Sequence, residues 1–234
     1  MEKNTSLPEV YNLIILDESG SMNCVWDQTI SGCNETLNTI RQAQEKFKDS
    51  QKYYVSIYAF QDGVQASRYL IKNVPGNAVE DITRNDYCPG GMTNLNDAVG
   101  MTLTEMKATC ASHPGAIANV TIITDGMENA SKEYRTSQVA QMIKELKELG
   151  WSFNFIGANI DVQGTSARYN IDSSMSFVQS EEGMREMFHK ERASRMKWFG
   201  HKIKLDKAAE NMSREEYVES LKSEAKDYFN DDEE

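Results

Sequence analysis

Residues 10–16 (VYNLIIL) form an apolar run broken by one asparagine, and they constrain the fold more than anything else in the chain. Such a run is stable as a strand only where both faces of its sheet are covered. Similar runs recur at 53–60 (YYVSIYAF), 119–124 (NVTIIT) and 151–157 (WSFNFIG). Between them the period changes. Over residues 31–49, with Ile30 just ahead, the apolar residues Ile30, Cys33, Leu37, Ile40 and Phe47 recur at helical steps. Residues 95–109 and 136–149 also read as helices, and Gly150 is well placed just past the second of these. Asp62-Gly63 is a two-residue hairpin signal, so 64–71 (VQASRYLI) is expected as an antiparallel edge strand. A loop rich in Pro and Gly (Pro75, Gly76, Pro89, Gly90, Gly91) follows, and later a short helix at 165–169 and a last strand at 174–178 (SMSFV). Strands alternating with helices predict an α/β fold. It should be a doubly wound, mainly parallel six-stranded sheet with one antiparallel edge strand and helices on both faces.

In such sheets ligands bind beyond the carboxyl ends of the strands. Asp17 and Asp125 are each the first polar residue after a buried run. Asp17, Ser19 and Ser21 alternate, so on an extended segment their side chains point one way, and Gly20 permits a sharp turn. Thr93 follows the glycines of "CPGGMT" and precedes a helix. Three hydroxyls and two carboxylates make an all-oxygen donor set. Magnesium suits it best and manganese nearly as well; calcium prefers more carboxylates, and zinc prefers nitrogen or sulfur.

At these residues the chain resembles the von Willebrand factor type A family, which includes the integrin inserted domains. The family's metal-ion-dependent adhesion site reads DxSxS, then a threonine after a glycine-rich loop, then an aspartate after the fourth strand. "DESGSM", "GGMTNLNDA" and "TDG" match it in order, over about residues 10–178. The segment "FIGANIDV" is similar to bacterial and phage-type members. The resemblance implies a Rossmann-like fold in which Ser19, Ser21 and Thr93 bind the metal directly. Asp17 and Asp125 would act through water, and a partner protein's Glu or Asp would complete the octahedron. Binding follows from this chemistry; a nucleophile does not.

Composition narrows the classes. The chain has 234 residues, 39% of them hydrophobic, which is enough for one sizeable core. The net charge of −11 argues against nucleic acid or anionic membrane as a partner. No eighteen-residue apolar run and no basic-then-apolar leader is present, and Cys24, Cys33, Cys88 and Cys110 lack CxxC spacing. A cytoplasmic protein with reduced thiols is expected. No GxSxG elbow, P-loop or strand-linked GxGxxG occurs. A phosphatase with an aspartyl nucleophile at Asp17 would need an acid where Ser19 stands.

Residues 1–180 are expected to form the type A domain and 181–234 a helical extension. In the extension, 183–204 carries seven Arg and Lys against two Glu, whereas 207–234 carries ten acidic residues against four basic ones. Met184, Met187, Phe188, Met196, Trp198 and Phe199 make a stripe expected to pack on the outer helices. The basic run is expected to be a solvated face, and "NDDEE" a solvated tail. Ser213 and Glu216 form a capping box. Glu18, Glu128, His113, His189 and His201 are read as solvated or surface residues. The leading function is metal-dependent capture of a partner carboxylate, not enzymatic turnover. The alternatives are an assembly subunit, of a phage particle or an ATPase-linked complex, that binds through the C-terminal helices, and a metal-dependent hydrolase.

Overall fold

The computed structural model describes residues 7–63 and 65–230. Val64, which opens the expected edge strand, and the acidic tail beyond Asn230 lie outside the described residues. Six strands form one sheet: β1 (Glu9–Asp17), β2 (Lys52–Phe60), β3 (Arg68–Pro75), β4 (Ile117–Thr124), β5 (Ser152–Gly157) and β6 (Ser173–Ser176). Their order is β3-β2-β1-β4-β5-β6, and only the β2–β3 pair is antiparallel. The helices are α1 (Trp26–Lys46), α2 (Leu95–Ala111), α3 (Thr136–Lys147), α4 (Val162–Arg168), α5 (Glu181–Ala208) and α6 (Arg214–Lys226). They cover both faces, as the apolar runs require: β4 and β5 are buried along their whole length.

The chain winds from β1 outward to β2 on one side and returns to β4 on the other. The strand order therefore reverses between β1 and β4, and a binding crevice opens beyond their carboxyl ends. Val10 pairs with Ile117 and Leu16 with Ile123, so Asp17 and Asp125 emerge from adjacent strand ends.

Asp62-Gly63 does not close a two-residue hairpin. β3 begins only at Arg68, because this dipeptide is committed elsewhere. The Asp62 amide donates to the Met92 carbonyl at 2.9 Å, and Gly63 packs against Gly91 so tightly that a Cβ on Gly91 would lie 2.7 Å from the Gly63 nitrogen. The Ser67 hydroxyl accepts from the Gln61 amide at 3.1 Å and closes the longer loop. The first helix also departs from expectation. It starts at Trp26, after a 3-10 turn at Gly20–Val25.

The capping box opens α6 as expected, but α5 differs from its sequence reading. It packs on α1 and also directly on the sheet. Phe188 sits where a Cβ on Gly32 would intrude at 2.0 Å, and the Phe199 ring lies 4.4 Å from that of Tyr53 on β2. The basic run is not wholly a solvated face, since Arg195 and Lys202 are buried. Arg195 donates to Asn12 Oδ1 at 2.7 Å and to Thr121 Oγ1 at 2.9 Å, while Glu191, one turn back, balances its charge.

A buried ion pair that loses one partner leaves an uncompensated charge. Arg195→Ala is therefore expected to cost about 3–5 kcal/mol in denaturant unfolding. The double variant Glu191→Leu with Arg195→Met should recover only part of that loss, because both charges go but Asn12 Oδ1 and Thr121 Oγ1 lose their donor.

Candidate functional site

Asp17 ends β1 as a buried carboxylate. Its Oδ1 accepts from the Ser19 amide at 2.7 Å, and its Oδ2 accepts from the Thr124 hydroxyl at 2.6 Å. Thr124 is the last residue of β4, so this bond ties the two central strand ends together. Ser19 is extended, but from Gly20 the chain enters the 3-10 turn. Alternation along a strand is thus not what aligns the two serines. The turn brings their hydroxyls to 3.1 Å from each other. Ser19 stands at the turn's N-cap position without spending its side chain on a cap.

Ser21 donates from Oγ to Asp125 Oδ1 at 2.7 Å. Thr93 arrives on the loop before α2. Its amide donates to Asn129 Oδ1 at 2.9 Å, and its carbonyl accepts from the amides of Asn129 and Ala130. Its Oγ1 lies 3.1 Å from where a Cβ on Gly126 would stand, next to Asp125. Asp17, Ser19, Ser21 and Asp125 are therefore linked by direct contacts or a shared hydrogen-bond chain, and Thr93 stands beside Asp125 across Gly126. Among the described residues no three His, Cys, Asp or Glu side chains converge. A cation at this rim would rest on hydroxyls as much as on carboxylates.

Glu18 and Glu128 are structural rather than solvated. Glu18 is fully buried and takes both guanidinium nitrogens of Arg68, at 2.7 and 3.1 Å. It also accepts from Gln61 Nε2 at 2.8 Å and from the Cys88 amide at 2.5 Å. One carboxylate thereby ties the end of β2, the start of β3 and the glycine loop to β1. Glu128 accepts from the Asn96 amide at 2.7 Å and from the Ala130 and Ser131 amides, and so secures the start of α2. His113 and His189 are exposed, as expected, whereas His201 is half-buried and its Nδ1 lies 3.2 Å from Glu224.

Gln179, which the sequence does not single out, also reaches the rim. Its Nε2 donates to Asp125 Oδ2 and, at 2.9 Å, to the Ser21 carbonyl. Met92, Met127 and Val178 are 51%, 72% and 71% exposed, and each lies within two residues of Thr93, Asp125 or Gln179. Burial shifts the two aspartates in the same direction. It pushes the Asp17 carboxyl up to about 6, against the bonds from Thr124 and Ser19, and it raises that of Asp125.

The family model described as von Willebrand factor type A domain matches residues 13–197. The chain belongs to this family. No curated protein sequence matches it. Among solved structures, the pilus adhesin SpaC from Lactobacillus rhamnosus GG is similar at a TM-score of 0.59 and 12% identity, over 81% of this chain and 30% of SpaC. A D319A mutant of the PilB minor pilin from Streptococcus sanguinis is similar at 0.50 and 14% identity, over 82% of this chain and 62% of the pilin. Proximal thread matrix protein 1 from the mussel byssus, solved with a zinc-occupied MIDAS motif, is similar at 0.50 and 12% identity, over 78% of this chain and 44% of that one. The type A chain thus spans less than two thirds of each of these proteins, and at such identities the likeness is one of fold.

The raised Asp17 carboxyl has a signed consequence for stability. A carboxyl whose folded pKa lies above its unfolded value contributes stability that is complete below the unfolded pKa and is lost as pH rises through the folded one. In chelator, the wild type should therefore lose stability relative to Asp17→Asn as pH rises from about 4 to about 7, by on the order of 3 kcal/mol. Thermal melts of the two proteins across that range measure it.

Proposed function

We propose that this type A domain is a protein-binding module that holds magnesium or manganese at Asp17, Ser19, Ser21, Thr93 and Asp125. The held ion would capture a partner protein's Asp or Glu side chain. The observation that carries this reading is the convergence of hydroxyls and two carboxylates at the strand-order reversal, with exposed Met92, Met127 and Val178 close to its residues in the chain.

The donor chemistry fits a hard divalent cation that keeps part of its water shell. With only two carboxylates nearby, the ion retains net positive charge, and an external carboxylate is its natural last ligand. Exposed Met92, Met127 and Val178 would supply apolar contact area for the residues that flank that acid. The mussel byssus protein, described with a zinc-occupied MIDAS motif, supports cation binding on this fold.

The reading is of a binding module and not an enzyme. A metal-dependent hydrolase needs a general base beside its cation. His113 sits at the opposite end of the sheet, against Tyr11, and the Glu18 carboxylate is held by Arg68. The assembly-subunit reading is weaker because α5 spends its apolar stripe and Arg195 on its own sheet. We take residues 1–180 as the unit carrying the site and 181–234 as the helical extension that closes one face of that unit. The free thiols Cys24, Cys33, Cys88 and Cys110 fit a reducing, cytoplasmic setting. Among the described residues no helix is long and apolar enough to cross a membrane.

Calorimetric titration should show magnesium and manganese binding in the micromolar to millimolar range, lost in Asp17→Ala. Because burial pushes Asp17 up to about 6, protons compete for it, and affinity should fall as pH drops through that value. A folded wild type that ignores both ions would sink the reading.

A further inference from the structure

Gln179 lies in the short link between β6 and α5. The link is pinned on both sides. The Phe177 amide donates to the Gly157 carbonyl at 3.0 Å, and the Ser180 hydroxyl caps α5 by accepting from the Gly183 amide at 3.1 Å. Between these anchors the Ser180 amide turns back onto the Val178 carbonyl at 2.8 Å, leaving Val178 outward while the Gln179 side chain reaches the rim.

There the amide is fully engaged. Nε2 donates to Asp125 Oδ2 and to the Ser21 carbonyl, and Oε1 accepts from Asn159 Nδ2 at 2.5 Å. Asn159, in the loop after β5, sits at φ 57, in the left-handed region that Asn tolerates better than most residues. The other oxygen of Asp125 accepts from Ser21 Oγ at 2.7 Å. Both oxygens of this carboxylate are thus taken by donors of its own chain.

We propose that Gln179 is a built-in competitor at the rim, whose amide holds Asp125 against a divalent cation and so sets how readily the site takes one up. The proposal rests on the cation-binding reading above. An amide N–H presents positive charge to a carboxylate, which is the role a hydrated cation would play at the same oxygen. The amide fills one of the acceptor sites of Asp125 Oδ2, so an ion or its water at that oxygen shares the carboxylate's charge with Gln179 and binds more strongly once the amide turns away. Asn159 holds Gln179 Oε1 and therefore resists that turn.

Three variants of the full chain test this, with manganese as the probe and calorimetry as the readout. Removing a hydrogen bond to a charged group should tighten manganese binding in Gln179→Ala by about tenfold. Asn159→Ala keeps the amide but frees its far end, and should shift affinity the same way by less. Gln179→Glu places a carboxylate beside Asp125. In chelator it should melt below the wild type, and manganese should raise its melting temperature further than it raises the wild type's. A purely structural Gln179 would lower stability without tightening the binding of the ion. If Gln179→Ala does not fold, by circular dichroism and thermal melting in chelator, the other two variants carry the test. Unchanged or weaker manganese binding in the folded variants overturns this proposal and leaves the cation reading standing. Failure of both the wild type and the folded variants to bind manganese overturns both.

Discussion

Everything at the rim depends on the burial of the Asp17 carboxylate where β1 ends. Two hydrogen bonds, from the Ser19 amide and the Thr124 hydroxyl, favour its charge, yet burial outweighs them and its carboxyl is pushed up to about 6. Among the described residues no Lys or Arg pairs with it as Arg68 pairs with Glu18. Adjacent residues have thus been given opposite treatment. Glu18 is neutralised by a bidentate guanidinium and serves as a clamp. Asp17 keeps an uncompensated demand for positive charge, which the fold places at the strand-order reversal.

The clamp explains why the rim holds its shape. The glycine loop is secured by polar contacts: Cys88 and Gln61 on Glu18, Gly20 on the Gly91 carbonyl, and Asp62 on the Met92 carbonyl. Thr93 inherits its position from these bonds and from Asn129. A positive φ of 68 at Gly91 and the near contact with Gly63 leave no room for a side chain at that position. Site geometry therefore depends on contacts to residues that supply no oxygen to the site itself.

Much of this was legible in the sequence, and what was not has physical causes. Runs such as VYNLIIL and NVTIIT announce doubly covered strands, because so many consecutive apolar side chains can be buried only on two faces. Asp17 and Asp125 were legible as the polar residues that end such runs. Glu18 was not, since nothing local separates a clamped carboxylate from a solvated one. Its partner Arg68 is fifty residues away. Gln179 carries no local pattern either, and it reaches the rim only because β6 and α5 bracket a tight turn. The basic run at 183–204 misled in a different way. Charge density reads as solvation, whereas Arg195 is drawn inward by polar groups on an otherwise apolar sheet.

Asn12 was the available clue to that last point, an amide in the middle of the most apolar run in the chain. It pairs in register with Asn119 on β4, which pairs with Ser152 on β5, while Thr121 and Asn154 form the next polar rung. All of them are buried, and Asn154 donates to Asn119 at 3.0 Å. An unpaired amide in an apolar interior is costly, and here the partners come only in part, since Asn119 Nδ2, Ser152 Oγ and Asn154 Oδ1 have none. A wholly apolar helix would leave Asn12 Oδ1 and Thr121 Oγ1 unmet, whereas a helix carrying Arg195 supplies a donor to each, with Glu191 to balance the charge. The polarity of the central strands and the basic character of α5 are therefore two halves of one packing solution, and they bind the C-terminal extension to this sheet in a fixed register.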